Sequence, residues 1–309
     1  MGVDVGGTRI RAGAVTADGG VVSRIECPTE AERGPAAVLA SLLELIGQLL
    51  ASHPSTNAVG VACAGQIHAA TGTVVYAPNL GWHDVPLASQ LQKALGVRLT
   101  VENDVRAAAW GEFAFGAGAG TRSVVAVYVG TGVGSGAVLD GALWRGANNG
   151  AGEVGHTQAV WEGLPCPCGR RGCLEQYVSG SGFQRRLRLA LASGVATGLT
   201  EATGGDPARL TASMVEAAAE AGDRFAREVW EDAERFLTLG AANYVTLLNP
   251  QALVLGGGVI EAVPRLFEAV TAGVPRLTTV LARGLRIERA LLGDWSGVVG
   301  VAALASEGA

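Results

Sequence analysis

Apolar residues follow two rhythms along this chain. The first twenty-five or so positions alternate short β-type runs with glycine turns: MGVDVGG, IRAGAVTADGG and VVSRIECP. The ADGG between apolar runs reads as a hairpin signal. From 35 to 51, PAAVLASLLELIGQLLA carries apolar residues at helical spacing behind Pro35 and predicts an amphipathic helix. AVGVACAG (58–65) predicts a short buried strand, and PLASQLQKALG (86–96) a helix stopped by Gly96. VRLTVEND (97–104) predicts another strand, which runs into the Ala-rich helical stretch VRAAAWGEFAFGAG.

The pattern then restarts. SVVAVYVGTGVGSGAVLDGALWRG (123–146) again gives strand, glycine turn, strand, Asp-Gly turn, strand, and can be laid over the N-terminal segment as a weak internal repeat. Helical spacing dominates 207–240, NPQALVLGGGVI (249–260) forms a third strand-plus-glycine unit, and GVVGVAALASEG closes as a short helix. Strands alternating with helices predict α/β layers with a parallel or mixed sheet in each half. The pattern breaks near 105–120, at GAGAGTR, with no Ser- or Pro-rich linker. The expected domains are 1–107, joined by the C-terminal helix at about 296–309, and 108–295.

Composition narrows the classes. The 309 residues are 49% hydrophobic and 17% charged, with a net charge of −5 and no Lys/Arg run beyond two. A basic footprint for nucleic acid or an anionic membrane is therefore not expected. The most apolar stretch, 124–143, is interrupted by glycines and an aspartate, so it reads as strands rather than a membrane span. No charged-then-apolar leader opens the chain. Three of the five cysteines crowd into one loop, which fits a reducing, cytoplasmic compartment and a metal better than a disulfide framework.

Three loops share one form, a β-run followed by glycines and small or hydroxyl residues: DVGGTR (4–9), VGTGVGSG (129–136) and LGGGV (255–259). Glycine lets main-chain N–H groups approach phosphate oxygens, and Thr8 and Thr131 add hydroxyls. None is a Walker A loop, and none is GxGxxG opening a helix. A phosphotransferase also needs a base and a divalent cation. Asp104, where a strand meets a helix, is the candidate base; Asn103 or Asp104 equally suits the N-cap of that helix. Asp4, at the end of the first strand, is the candidate for orienting Mg²⁺. His156, Cys166, Cys168 and Cys173 supply one imidazole and three thiols, a full tetrahedral set for a closed structural Zn²⁺; the alternative is a loop of reduced cysteines.

Together DVGGTR, VENDVRAAAWGE, YVGTGVGSGAV, GAGEVGHT and CPCGRRGCLEQYVSG resemble the ROK family of bacterial sugar kinases and their repressor relatives. The resemblance implies a two-domain actin/hexokinase-like (ribonuclease H-like) α/β fold with a ligand cleft between the domains. It further implies ATP-dependent phosphorylation of a hexose, with Asp104 as general base. It places Asn79, Asn103, Glu153, His156 and Glu175 on the sugar, and zinc on His156, Cys166, Cys168 and Cys173. The cofactor set it implies is Asp4, Gly6, Gly7, Thr8 and Arg9 with Gly130, Thr131, Gly132 and Gly134, the Gly-Thr loops holding phosphates, and Gly257 and Gly258 near the adenosine. Arg9 stands where the family usually has lysine, keeping the charge but not the shape. END before an Ala-rich helix, and GEVGH, resemble the glucokinase branch. Other hexoses (N-acetylmannosamine, mannose, N-acetylglucosamine, fructose), polyphosphate as donor and a non-catalytic sugar sensor are the alternatives. With the first strand expected from residue 2, the repressors' N-terminal helix-turn-helix is not expected here, and a homodimer is usual in similar proteins.

Overall fold

The computed structural model describes residues 1–279, 282 and 284–307. Strands β1 (Gly2–Val5), β2 (Arg9–Val15) and β3 (Val21–Pro28) form an antiparallel meander, followed by helix α1 (Pro35–Ser52). Strand β4 (Ala58–Cys63) joins β1 in parallel. Strands β5 (Gln66–His68), β6 (Thr73–Ala77) and β7 (Trp82–Val85) make a small antiparallel sheet. Helix α2 (Leu87–Leu95), strand β8 (Arg98–Asn103) and helix α3 (Asp104–Phe115) complete this stretch. The first large sheet has the order β3-β2-β1-β4-β8.

Strands β9 (Val124–Val129), β10 (Val133–Leu139) and β11 (Ala142–Leu143) restart the pattern. Helices α4 (Glu175–Val178), α5 (Gly180–Ala192), α6 (Leu199–Ala202), α7 (Ala212–Glu220) and α8 (Arg224–Leu248) come next. Strand β12 (Ala252–Gly256), helices α9 (Gly258–Ala262) and α10 (Pro264–Leu277), strand β13 (Arg286–Arg289) and helix α11 (Ser296–Glu307) finish the chain. The second large sheet runs β11-β10-β9-β12-β13, the same strand logic as the first, so the repeat in the sequence is a repeat in topology.

By internal packing the chain makes two compact units: Met1–Val124 with Gly136–Gly152 and the segment from Leu291 onward, and Val125–Ser135 with Glu153–Ala290. In the first, Val38, Leu42, Leu45, Ile46 and Leu49 of α1 form the buried stripe that its helical spacing predicts. α1 has the length and mean hydropathy (1.6) of a membrane span, yet this stripe packs into the same core as Val3, Val5, Val59 and Val61. Helix α11 packs against α3, β1 and β4. The approach of α11 to α3 is so close that a Cβ on Gly300 would lie 1.7 Å from the Ala107 carbonyl oxygen. Small residues on both helices thus decide that α3, with the strand end feeding it, belongs to the first unit.

Candidate functional site

In the first unit the parallel register aligns Val5, Cys63 and Asn103 in one row across β1, β4 and β8. Their carboxyl ends therefore leave the sheet together, the usual place for a ligand in an open α/β sheet. Asp4 and the Gly6–Thr8 turn leave β1 there, and Asn103 and Asp104 leave β8. The turn is braced by Gly6 N donating to the Arg9 carbonyl (3.0 Å) and by the Thr29 hydroxyl donating to the Gly6 carbonyl (2.7 Å). Gly7 faces Asn79: a Cβ there would lie 3.0 Å from the Asn79 Cβ. Arg9 lies at the surface, with its side chain paired to Glu26 at 3.1 Å.

Burial, then the neighbouring Asp104 charge, pushes the Asp4 carboxyl up to about 7. Arg11, directly opposite Asp4 in the antiparallel register, opposes the shift, and Asp294 adds to it. Cys63, buried between the strands that carry these two carboxylates, has its thiol pushed up by burial and by both charges. A carboxylate raised by its carboxylate neighbour belongs to a donor set that suits a divalent cation.

Asn103 is the N-cap of α3. Its Oδ1 accepts from Val105 N (3.1 Å) and Arg106 N (3.0 Å). Its Nδ2 donates to the Gly65 carbonyl (3.2 Å) and to Asp104 Oδ1 (2.9 Å). All four hydrogen-bonding positions of the amide are thereby engaged. Asp104 occupies the first helical position, where the helix dipole favours its ionised form. The cap and the candidate base are thus adjacent residues with linked side chains.

The second unit gathers the other candidates. The Gly130–Gly134 loop turns back on itself, with Gly130 N donating to the Gly132 carbonyl at 2.9 Å. Glu175 Oε2 accepts from Val133 N at 3.0 Å, and a Cβ on Gly132 would stand 2.7 Å from that oxygen, so only glycine lets the loop lie against the carboxylate. The turn from Glu153 to His156 packs on the same loop: a Cβ on Gly155 would lie 2.2 Å from the Val133 carbonyl oxygen. Gly257, at φ +92, and Gly258 adjoin Val129 and Gly130.

His156, Cys166, Cys168 and Cys173 converge, with one donor atom from each within 4.8 Å of the others. His156 Nδ1 is 3.8 Å from Cys166 Sγ, and the sulfurs of Cys168 and Cys173 are 3.6 Å apart. A tetrahedral zinc with sulfur at about 2.3 Å requires ligand separations of about 3.5–3.8 Å, which these two pairs match, and one imidazole with three thiols is a donor set that suits that ion. With Nδ1 turned to the sulfurs, the other ring edge of His156 is left for a different partner. Tight backbone bonds shape the loop: Cys166 N to the Arg170 carbonyl (2.8 Å) and Gly172 N to the Leu164 carbonyl (2.7 Å).

Several buried supporting side chains escape sequence reasoning. Buried Gln176 donates to Cys166 Sγ at 3.3 Å and accepts from Arg185 Nε at 2.7 Å, an outer support for the cysteine cluster. Glu102, 1% exposed, accepts from Asn103 N (2.8 Å), Arg106 Nε (2.9 Å) and Arg145 Nε (2.7 Å). Buried Glu112 takes amides from Ala117, Leu291 and Leu292. The only signal for Glu102 was its place in the END triplet.

A model of the ROK family matches residues 1–308. A glucokinase of Halalkalibacterium halodurans is 35% identical over 97% of this chain and 92% of its own. A glucokinase of Streptomyces coelicolor is 33% identical over 99% and 97%. Among solved structures, a ROK family glucokinase from Streptomyces griseus in complex with glucose and AMPPNP superimposes with a TM-score of 0.81 at 32% identity, covering 99% of this chain and 98% of that one.

Proposed function

This chain belongs to the ROK family, and we propose that it is an ATP-dependent hexose kinase that converts glucose to glucose 6-phosphate. Its fold is the two-domain actin/hexokinase-like α/β fold. The observation that carries the reading is Asp104, held at the N-terminus of α3 by the capping amide of Asn103 in a chain whose near-full-length relatives are glucokinases. Asp104 takes the proton of the sugar's C6 hydroxyl. That oxygen attacks the γ-phosphorus as the γ–β bridging P–O bond breaks, and ADP departs. Positioning and charge neutralisation lower most of the barrier, because phosphoryl transfer asks little covalent chemistry of the protein.

In this reading the glycine loops at Gly6–Thr8 and Gly130–Gly134 cradle the phosphates, with Arg9 flanking the first and Gly257–Gly258 beside the adenosine. Asp4 orients Mg²⁺, which supplies charge neutralisation on the phosphates. Asn79, Asn103, Glu153, His156 and Glu175 form the sugar set. The His156–Cys166–Cys168–Cys173 cluster holds a structural Zn²⁺ that fixes His156 and, two residues past Cys173, Glu175. The enzyme works in the cytoplasm as a homodimer.

Coupled detection of ADP with glucose and ATP tests the reading. Asp104→Asn is expected to fold, bind glucose and lose about 10²–10⁴-fold in turnover. Wild-type protein that releases no ADP with any hexose would overturn the kinase assignment. A fully active Asp104→Asn variant would overturn the assignment of the base.

A further inference from the structure

Arg185, on α5, meets three side chains at once. Its Nε donates to Gln176 Oε1 at 2.7 Å, its Nη2 donates to Ser181 Oγ at 3.0 Å, and the same Nη2 stands 3.9 Å from Glu175 Oε1. Glu175 and Gln176 open α4, and Ser181 is the second residue of α5, one turn before Arg185. A planar guanidinium reaches such a spread of acceptors because its donors are fixed in a fork. The side chain is 28% exposed, and by itself a part-exposed ion pair at this distance is worth little. What its partners hold is what gives it a task.

The corner where α4 meets α5 grips the Gly130–Val133 turn at both ends. At one end Gly180 N donates to the Gly130 carbonyl at 2.9 Å and Ser181 N to the Thr131 carbonyl at 3.1 Å. The first two amides of α5, which no carbonyl of the helix itself can satisfy, are thus spent on the loop. At the other end Val133 N donates to Glu175 Oε2 at 3.0 Å. Ser179, the N-cap of α5, links the two grips: its hydroxyl donates to the Glu175 carbonyl at 2.8 Å and accepts from Gly182 N at 3.0 Å. It also lies 3.3 Å from Ser181 Oγ. Arg185 therefore touches both grips, one through Ser181 and the other through Glu175. Its third partner, Gln176, donates to Cys166 Sγ at 3.3 Å and so reaches the cysteine cluster.

We propose that Arg185 is a positioning residue that sets the Glu175 carboxylate and the Gly130–Gly134 loop as one piece, so that sugar affinity and nucleotide affinity depend on it together. The inference rests on the kinase reading above, which gives Glu175 to the sugar and the loop to the phosphates. Without the guanidinium, Glu175 keeps the bond from Val133 N but loses the cation beside its other oxygen, and Ser181 loses the donor that holds its hydroxyl. Hydrogen bonds weaken steeply with poor geometry, so a small displacement of either grip is felt by the ligand it serves.

The test is a double-mutant cycle of Arg185→Met and Ser181→Ala, read as separate KM values for glucose and for ATP, with Tm measured alongside. Arg185→Met is expected to raise both KM values about 3- to 10-fold, the size of one hydrogen bond, with kcat within about threefold. Ser181→Ala loosens one grip only, and should raise KM for ATP by a similar factor while leaving KM for glucose within about twofold. Both changes break the same Arg185–Ser181 bond, so the double variant should show no further rise for ATP beyond that of Arg185→Met. A lowered Tm with both KM values unchanged would mean a merely structural role and overturn the proposal. So would a rise in only one KM for Arg185→Met, or ATP penalties that multiply in the double variant. Should Arg185→Met not fold, Ser181→Ala decides alone, and an unchanged KM for ATP there refutes the idea. Wild-type protein inactive on every hexose overturns the kinase reading instead, and this inference with it.

Discussion

Replacing Asp4 by asparagine should make the protein more stable at pH 8 while removing its activity. The carboxyl is pushed from its ordinary 3.8 to about 7, first by burial and then by the Asp104 charge. A group that binds its proton more tightly folded than unfolded adds stability at low pH and loses it as pH rises between those two values. Carried through, ionised Asp4 costs the folded state up to about 4 kcal/mol above pH 7, at about 1.36 kcal/mol per pKa unit. Asparagine is nearly isosteric and bears no charge. The Asp4→Asn advantage should therefore be small near pH 4, grow through the window between 3.8 and about 7, and stay flat above it. At pH 8 in Mg²⁺-free buffer, calorimetry should find a Tm gain of about 3–8 °C. Two results would refute the reasoning: a variant less stable than wild type at pH 8, or an advantage that does not change with pH. The expected loss of turnover in the stabilised variant would mark Asp4 as a residue kept for function at the expense of the fold.

Cys168→Ser, or stripping zinc with a chelator, should lower Tm and glucose affinity together, with about 1–2 °C lost per kcal/mol of stability at this chain length. A stable variant with normal sugar affinity would show that the cluster does not support His156 and Glu175. Two glycine-to-alanine changes should differ in sign. Gly300→Ala places a Cβ 1.7 Å from the Ala107 carbonyl oxygen and should cost about 1–3 kcal/mol or more in urea unfolding. Gly47→Ala, mid-helix in α1 with open space around it, should gain about 0.5–1 kcal/mol.

Much of this arrangement was legible in the residues. The β-runs with their glycine turns, the helix behind Pro35 and the strand entering END all appear where period and punctuation put them. The repeat of GGT against GTG surfaced as two sheets of the same strand order. The small sheet of β5, β6 and β7 was not legible. Its strands span three to five residues, with polar, proline and glycine positions between them, too short for alternation to stand out. Nor was the Glu102–Arg106–Arg145 cluster. Glutamate and arginine four apart usually mean a solvated helix face, but here the spacing straddles a strand end and a helix start, and the pair is buried. The third member comes from 43 residues away, which no local pattern reports. LGGGV read only as a strand followed by glycines; in the structure Gly256 ends β12, and Gly257 caps a helix, α9, that opens at Gly258.

The cap at α3 also shows why residue classes that are interchangeable in a sequence are not so in the folded site. Asparagine and aspartate cap helices almost equally well, because both offer an oxygen to the first free amides. By that rule either could precede Asp104. In the structure, the other half of the Asn103 amide makes the difference: its N–H groups reach the Gly65 carbonyl and Asp104 Oδ1. An aspartate at 103 would cap α3 but would face that carbonyl with no donor and set a like charge against the base. Such a charge would resist the ionisation that Asp104 needs. Since the amide is saturated by these four bonds, its first task is to aim Asp104, and any hydroxyl it meets must displace a bond already made.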